Sequence, residues 1–261
     1  NAQNGRVFDR LTLESKILKG ERKYAIYLPP DYESSKRDYP ILYLLHGAGD
    51  DHTGWVQYGE VLQIADKEIN VGNSTSMIIV MPDAQTGKKG YFNSFSEKWN
   101  YENYFFNEFI PFIEKKYRAI AGLSMGGGGS FGCALHHPEM FASACPLSAY
   151  LGELDFDSFY ASFLKNQKDV NKERLLDYFK NHNVISLITT GDVQKINSVR
   201  WYIDCGDDDY LFEGNSLVHL NMRKRNIKHE YRVRDGKHNW TYWRASLSDV
   251  LIFVSKGFRR S

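Results

Sequence analysis

Short apolar runs alternate with longer segments of helical period along most of the chain. This alternation is the pattern of a largely parallel sheet that is covered on both faces, and it predicts an α/β fold. The predicted strands are residues 23–28, 41–45, 77–81, 119–123, 143–148, 199–205 and 229–234. The predicted helices are residues 56–70, 102–117, 125–137, 215–226 and 240–256. We therefore expect a mostly parallel central sheet with helices on both faces.

One segment, residues 150–198, interrupts the alternation between two predicted strands. It contains a single amphipathic stretch, NKERLLDYFKNH, and inserted segments of this length are usually functional or mobile. No internal repeat or low-complexity linker divides the sequence. We therefore expect residues 1–261 to form one domain, in which residues 150–198 are a lid or a substrate-binding insert.

The junction between Tyr117 and Arg118 is unusual, because a predicted helix runs almost directly into a predicted strand. Connections from a helix to a strand normally take about 2–6 residues. Either the helix ends early, or residues once separated Tyr117 from Arg118. The second interpretation is favoured, and it predicts that these two residues lie too far apart for a peptide bond.

Composition excludes several functions. The 33 basic and 32 acidic residues give a net charge of +1, so no long-range field attracts nucleic acid or anionic lipid. The longest apolar run, about MIIVM, is far too short to span a membrane.

Three cysteines in apolar stretches are expected to be buried free thiols. Because the chain starts with Asn and not Met, we expect a mature or trimmed product.

Residues 122–126, GLSMG, match the pattern G-x-S-x-G, and they follow a predicted strand and open a predicted helix. In a sharp turn from strand to helix, side chains two residues either side of Ser124 would collide with the chain. Glycine at positions 122 and 126 removes that collision. This context is typical of a nucleophile elbow, so Ser124 is the predicted nucleophile.

A serine nucleophile needs a histidine base, which is itself oriented by a carboxylate. His238 lies in the glycine-bearing loop RDGKHNW, after the last predicted strand and before the last predicted helix, and it is the predicted base. Other downstream histidines end a predicted helix or lie within a predicted helix or strand: His136, His137, His219 and His229.

The acid is expected after predicted strand 199–205, which comes before the strand that leads to His238, in the stretch WYIDCGDDDY. Asp204 lies within the strand pattern and is interpreted as structural. A turn of the form G-x-x-D, counted from Gly206, selects Asp209, with Asp208 as the alternative. A solvated acidic loop or an adventitious cation site is the remaining interpretation.

Backbone N–H groups are expected to bind the negative oxygen that develops during acyl transfer. One is the N–H of Met125, directly after the serine. The second is expected from the loop HGAGDD after an earlier strand, at Ala48 with Gly47 adjacent. His46 in the same loop is interpreted as a scaffold for it.

Aromatic residues surround the predicted nucleophile in the sequence. Trp55 follows the loop at Ala48, and Trp240 comes two residues after the base, so both are predicted to form an aromatic wall for substrate. Anchoring the last helix to the core is the alternative role for Trp240 and the expected role of Trp243. No cofactor or metal is predicted, since His52 with its acidic neighbours lacks the spacing of a zinc site and no phosphate-binding loop is present.

The sequence resembles the esterase D-like α/β hydrolases, and within them the feruloyl and acetylxylan esterases of carbohydrate esterase family 1. The similar stretches are YLPPDY, YPILYLLHGAGDD with TGW, MIIVMP, AIAGLSMGG, CGDDDYL and GKHNWTYWR, spread over nearly the whole chain. The resemblance implies an α/β-hydrolase fold and a catalytic set of Ser124, Asp209 and His238. Residues 150–198 match this family least.

This resemblance implies a secreted or periplasmic serine esterase whose substrate is feruloylated or acetylated xylan or its oligosaccharides. The predicted aromatic wall of Trp55 and Trp240 favours a hydroxycinnamoyl group over acetyl, so the expected reaction releases ferulic acid, with acetyl ester cleavage as a weaker activity. No nucleic acid and no membrane is expected to take part. The alternatives are an S-formylglutathione hydrolase and an esterase for siderophores or other small esters. A carbohydrate-binding protein without activity is disfavoured, because the serine, aspartate and histidine are all present.

Overall fold

The computed structural model describes residues 4–84, 90–113 and 117–258. Within these residues one sheet has eight strands, in the order β1-β2-β4-β3-β5-β6-β7-β8. The strands are β1 Arg6–Ser15, β2 Gly20–Leu28, β3 Ile41–Leu45, β4 Ile78–Pro82, β5 Arg118–Leu123, β6 Ser143–Leu147, β7 Arg200–Gly206 and β8 His229–Arg234. Strands β3 to β8 pair in parallel, whereas β1 and β2 form an antiparallel edge. The predicted mostly parallel sheet is confirmed.

Helices cover both faces of this sheet, as predicted. They are α1 Gly54–Gln57, α2 Val61–Asn70, α3 Tyr101–Tyr104, α4 Ile110–Ile113, α5 Met125–His136, α6 Phe156–Leu164, α7 Lys172–His182, α8 Val184–Thr190, α9 Val193–Ser198, α10 Phe212–Lys224 and α11 Trp240–Phe258. A π-helix, Phe105–Phe109, joins α3 to α4, and a short 3-10 helix, Pro138–Met140, follows α5.

The core has two layers because successive residues of a strand point to opposite faces. On one face, Tyr43 and Leu45 of β3 pack in a cluster with Phe131 of α5 and the aromatic residues of the α3–α4 segment. On the other face, Leu42 and Leu44 pack with residues of α2 and α11. All five residues of β3 are buried, which explains why this strand reads as a continuous apolar run.

Residues 150–198 form four helices, α6 to α9, of which the sequence indicated only α7. Each of these helices begins after a residue whose side chain accepts a hydrogen bond from a backbone N–H group of the first turn. The capping residues are Asp155, Asn171, Asn183 and Asp192. Helix α8 packs against α5, α7 and α10, so this segment is attached to the helical layer beside the end of β5.

At the unusual junction, the described part of α4 reaches Ile113 and β5 begins at Arg118. The carbonyl of Tyr117 accepts a hydrogen bond from the N–H of Ile41 at 3.0 Å, so Tyr117 already lies beside β3. Residues 114–116 lie outside the described residues. A gap between Tyr117 and Arg118 stays a prediction.

The three cysteines, Cys133, Cys145 and Cys205, are buried and free, as predicted. Burial raises the pKa of each thiol, so these groups are protonated and unreactive at neutral pH. None of the helices in the described part of the chain is both long enough and apolar enough to cross a membrane.

Candidate active site

Ser124 lies in the turn between β5 and α5, with φ 54° and ψ −115°. This positive φ is uncommon for a residue other than glycine and stores roughly 1–3 kcal/mol of strain. A Cβ added to Gly122 would lie 2.5 Å from the carbonyl oxygen of Gly126, and one on Gly126 would lie 2.6 Å from the carbonyl oxygen of Leu45. The predicted need for glycine on both sides of the serine is therefore confirmed.

A chain of hydrogen bonds joins the three residues that the sequence singled out. The Nε2 atom of His238 lies 3.0 Å from Oγ of Ser124, and its Nδ1 atom lies 2.8 Å from Oδ2 of Asp209. His238 comes from the loop between β8 and α11, and Asp209 follows β7. The side chain of Asp209 is fully buried, whereas Asp208 is exposed. Of the two candidate acids, the structure brings Asp209 to the histidine.

The environment of Asp209 keeps its carboxylate ionised. Burial alone would raise its pKa, but hydrogen bonds from His238, from the N–H of Leu211 at 2.8 Å and from the hydroxyl of Ser148 outweigh burial and lower it. Because an ionised carboxylate only accepts hydrogen bonds, Nδ1 of His238 is the donor. Its Nε2 atom is then free to accept the proton of the Ser124 hydroxyl.

Ser148 was not singled out by sequence reasoning, although it follows β6 directly. It is fully buried and has a φ of 44°. Its Oγ accepts a hydrogen bond from Nε1 of Trp243 at 3.1 Å and contacts the carboxylate of Asp209. The Trp243 ring also meets the imidazole of His238 edge-on, with centroids 4.8 Å apart. Trp243 is buried as predicted, and it supports both the acid and the histidine.

The loop after β3 approaches Ser124 closely. A Cβ on Gly47 would lie 2.6 Å from a methyl group of Leu123 and 3.5 Å from Cβ of Ser124. Within the described chain, the N–H groups of Ala48 and Met125 have no hydrogen-bond acceptor. That of Met125 belongs to the first turn of α5, where N–H groups point out of the helix.

His46 holds this loop, as predicted. It is 1% exposed, and both of its nitrogens are in use. Nδ1 donates a hydrogen bond to the carbonyl oxygen of Gly47 at 2.8 Å, and Nε2 accepts a hydrogen bond from the N–H of Ala84 at 3.0 Å. The ring therefore cannot reach a substrate.

Two cavities meet at Ser124. The apolar cavity, about 560 Å³, is walled mainly by Phe92, Phe159, Tyr178, Phe179 and Val184, most of them from residues 150–198. The polar groove, about 770 Å³, is walled mainly by Asp50, Asp51, Gln57, Tyr58, His238 and Trp240. The exposed ring of Tyr210 borders both cavities.

The prediction that Trp55 contacts substrate is wrong. Its side chain is 1% exposed, and Nε1 donates to the carbonyl of Leu45 at 3.0 Å. Helix α1 folds the indole under the end of β3, where it joins the core. Trp240 is half-buried and does border the site, but it lines the polar groove and not the apolar cavity.

His182, which the sequence reasoning did not consider, borders the apolar cavity. Its ring stacks on Tyr178 with centroids 3.9 Å apart, and Nδ1 bonds to the carbonyl oxygen of the same residue at 2.8 Å. Burial lowers the pKa of His182, and the nearby His136 lowers it further, so the ring is neutral at pH 7. Since Nδ1 donates, Nε2 is a hydrogen-bond acceptor.

Within the described residues, one group of acidic side chains could share a cation: Asp207, Asp208 and Asp235. All three are exposed, and exposed carboxylates are often close together without an ion. This group does not by itself indicate a metal centre.

Comparisons with known proteins agree with this geometry. Residues 15–254 match the model of the Esterase family. A solved ferulic acid esterase is 34% identical, with a TM-score of 0.85, and the match covers 98% of this chain and 99% of that one. An acetyl esterase of Caldicellulosiruptor saccharolyticus is 24% identical over 95% of this chain and 97% of its own length.

A second curated relative is much longer than this chain. The endo-1,4-beta-xylanase/feruloyl esterase of Xylanibacter ruminicola is 33% identical over 159 residues, which are 56% of this chain and 21% of that protein. An S-formylglutathione hydrolase from Agrobacterium tumefaciens shares the fold, with a TM-score of 0.76 at 20% identity. The chain belongs to the Esterase family and is a carboxylic ester hydrolase of the α/β-hydrolase fold.

Proposed function

We propose that this esterase releases hydroxycinnamic acids, ferulic acid above all, from plant cell-wall xylan, and that Ser124 carries the acyl group. The observation that carries the proposal is the meeting of an aromatic, apolar cavity and a polar groove at one serine hydroxyl. An ester of an aromatic acid with a sugar has the same two halves. The aromatic acyl group suits the apolar cavity, and the sugar suits the groove.

In the proposed mechanism, Oγ of Ser124 attacks the ester carbonyl while Nε2 of His238 takes the hydroxyl proton. Asp209 remains ionised and stabilises the imidazolium. The N–H groups of Met125 and Ala48 bind the negative oxygen of the tetrahedral intermediate. Collapse of this intermediate breaks the bond to the sugar oxygen, which leaves with the proton from His238.

The second half of the reaction regenerates the serine. Water attacks the acyl group on Ser124 as Nε2 of His238 takes a proton from the water. The second tetrahedral intermediate breaks the bond to Oγ, which receives that proton. The carboxylic acid is released, and the enzyme returns to its starting state.

The walls of the apolar cavity support an aromatic acyl group over acetyl. Each contact of the ferulate ring with the ring of Phe92, Phe159 or Tyr178 contributes about 0.5–1.5 kcal/mol beyond simple burial. The neutral His182 offers Nε2 as an acceptor for the phenolic hydroxyl of ferulate. An acetyl group leaves most of the cavity unfilled, so acetyl esters are expected to react as weaker substrates.

Two further observations support a cell-wall substrate. The ferulic acid esterase that is 34% identical and the xylanase/feruloyl esterase are both named for the hydrolysis of ferulic acid esters.

The charge of the two cavities is the second observation. The described residues that line the two cavities include no Lys or Arg, whereas Asp50, Asp51 and Asp83 line the groove. Glutathione carries two carboxylates and would be repelled there, which disfavours S-formylglutathione. A polymeric plant substrate also favours a secreted or periplasmic enzyme.

The test is a comparison of kcat/KM for methyl ferulate, acetylated xylan and S-formylglutathione under one set of conditions. We expect methyl ferulate to be the preferred substrate, with measurable cleavage of acetylated xylan and almost none of S-formylglutathione. Methyl 3-methoxycinnamate, which differs from methyl ferulate only in lacking the phenolic hydroxyl, serves as a control for His182 and should react more slowly than methyl ferulate. Preference for acetylated xylan or S-formylglutathione would overturn the assignment.

A further inference from the structure

The polar groove has an exposed aromatic surface next to the reacting groups. Tyr58 is 53% exposed, and its ring lies 6.0 Å from that of Trp240 at an interplanar angle of 36°. Both residues line the groove that also contains Ser124 and His238. Concave sites lined by aromatic side chains with a few polar groups are typical of ligand-binding sites.

The Trp240 ring is packed from beneath, and the backbone of Tyr58 is hydrogen-bonded to the last helix. Trp240 meets Trp55 edge-on, with centroids 5.1 Å apart, and Trp243 likewise at 5.3 Å. The carbonyl of Tyr58 accepts a hydrogen bond from the guanidinium of Arg244 at 2.9 Å, which ties it to α11. The Trp240 ring and the backbone of Tyr58 are therefore preorganised, which reduces the entropy lost when a ligand binds.

Hydrogen-bonding groups surround this aromatic surface. Asp51 accepts hydrogen bonds from the N–H and hydroxyl of Thr53 at 2.7 and 2.6 Å, and its carboxylate is 54% exposed. Partial burial raises the pKa of Asp51, but the bonds from Thr53 outweigh it, so the group is ionised. Gln57 is exposed and adds an amide that both donates and accepts.

We propose that Tyr58 and Trp240, with Asp51 and Gln57, form a binding subsite for the sugar that carries the ester. A sugar ring has C–H bonds on its faces, which pack on aromatic rings, and hydroxyls at its edge, which donate to carboxylates and amides. The subsite binds a neutral carbohydrate leaving group. This inference rests on the proposed function and assigns Trp240 to the sugar, not to the aromatic acid.

The test compares two substrates that share the feruloyl group and differ in the alcohol: methyl ferulate and a feruloylated arabinoxylo-oligosaccharide. Replacing Trp240 or Tyr58 with alanine is expected to raise KM for the oligosaccharide about 3- to 10-fold more than KM for methyl ferulate. Phe112→Ala is the matched control, because Phe112 is 54% exposed and borders neither cavity. It should leave both KM values unchanged. Equal effects of Trp240→Ala and Tyr58→Ala on both substrates would overturn the subsite.

A binding measurement separates the subsite from the chemistry. Calorimetric titration with an arabinoxylo-oligosaccharide that lacks the feruloyl group should give a Kd that both variants weaken by 3- to 10-fold. Binding with this pattern, in a protein that ignores methyl ferulate, would support the subsite and reject the proposed acyl specificity. Turnover of methyl ferulate without any binding of the oligosaccharide would reject the subsite and leave the proposed function standing.

Discussion

Replacing Asp209 with asparagine changes the hydrogen-bond chain without changing the size of the side chain. Both carboxylate oxygens are in use: Oδ2 accepts from Nδ1 of His238 at 2.8 Å, and Oδ1 accepts from the N–H of Leu211 at 2.8 Å. An asparagine amide has one oxygen and one NH₂ group, so it can accept only one of these two hydrogen bonds. The NH₂ group must face either His238 or Leu211.

Either orientation disables the base. An NH₂ group facing His238 selects the tautomer with the proton on Nε2, which then cannot accept the proton of Ser124. An NH₂ group facing Leu211 leaves two donors in contact, and the imidazolium has no negative partner in the intermediate. We expect kcat to fall by about 10⁴, as for the equivalent change in serine proteases. This factor corresponds to about 5 kcal/mol of transition-state stabilisation.

The assay is hydrolysis of p-nitrophenyl acetate by the wild type, Asp209→Asn and Asp208→Asn. Asp208 is the matched control, because it is the adjacent carboxylate and is exposed. Its replacement should change kcat by less than about twofold, since substitutions of exposed side chains usually have effects within about 0.5 kcal/mol. A thermal unfolding curve checks that both variants remain folded. Retention of more than a tenth of the activity by Asp209→Asn, or a larger loss in Asp208→Asn, would refute the reasoning.

Three further changes test other parts of the structure. Arg234→Met leaves the buried carboxylate of Asp204 without its ion pair at 2.6 Å but with hydrogen bonds from the hydroxyls of Tyr202 and Tyr242, so urea unfolding should show a loss of about 3 kcal/mol, the lower end of the range for a broken buried pair; a loss below about 1 kcal/mol would contradict this. Burial raises the pKa of Glu102, but bonds from two histidines lower it to about 2. The lowered pKa stabilises the folded state by about 3 kcal/mol above the unfolded pKa of about 4.5, and this contribution is lost as the pH falls towards 2. In Glu102→Gln the free energy of unfolding should therefore depend less on pH between pH 5 and 3 than in the wild type; an unchanged pH dependence would argue against this. Ser148→Ala removes a donor to the acid, so kcat for p-nitrophenyl acetate should fall about tenfold with KM unchanged; an unaltered kcat would exclude that role.

The parallel strands and the hydrogen-bonded residues were predictable because their constraints are local. Strand β5, the turn at Ser124 and α5 follow one another in the chain, and glycine was required at two defined positions. His238 and Asp209 each follow a parallel strand, and the ends of parallel strands meet at the same edge of the sheet. Residue type and position along the chain were sufficient to select them.

Other features depend on packing that the sequence pattern does not contain. Strand β1 was missed because its ten residues alternate between exposed and half-buried and include several charges, so it lacks an apolar run. The tryptophan at position 55 follows the loop at Ala48 as expected, but a short helix turns it into the core. Ser148 owes its role to a contact with Asp209, sixty-one positions away in the chain, which only the fold brings together.

The central claim, that Ser124 carries the acyl group in the release of ferulic acid, is tested most directly by the hydrolysis of methyl ferulate by Ser124→Ala. The substitution removes the nucleophile and leaves the base and its acid in place. We expect methyl ferulate to be hydrolysed by the wild type, and kcat to fall by roughly 10⁶ in the variant while its unfolding temperature stays close to that of the wild type. Activity of Ser124→Ala above about a hundredth of the wild-type rate would contradict the claim, because a triad without its nucleophile cannot sustain it.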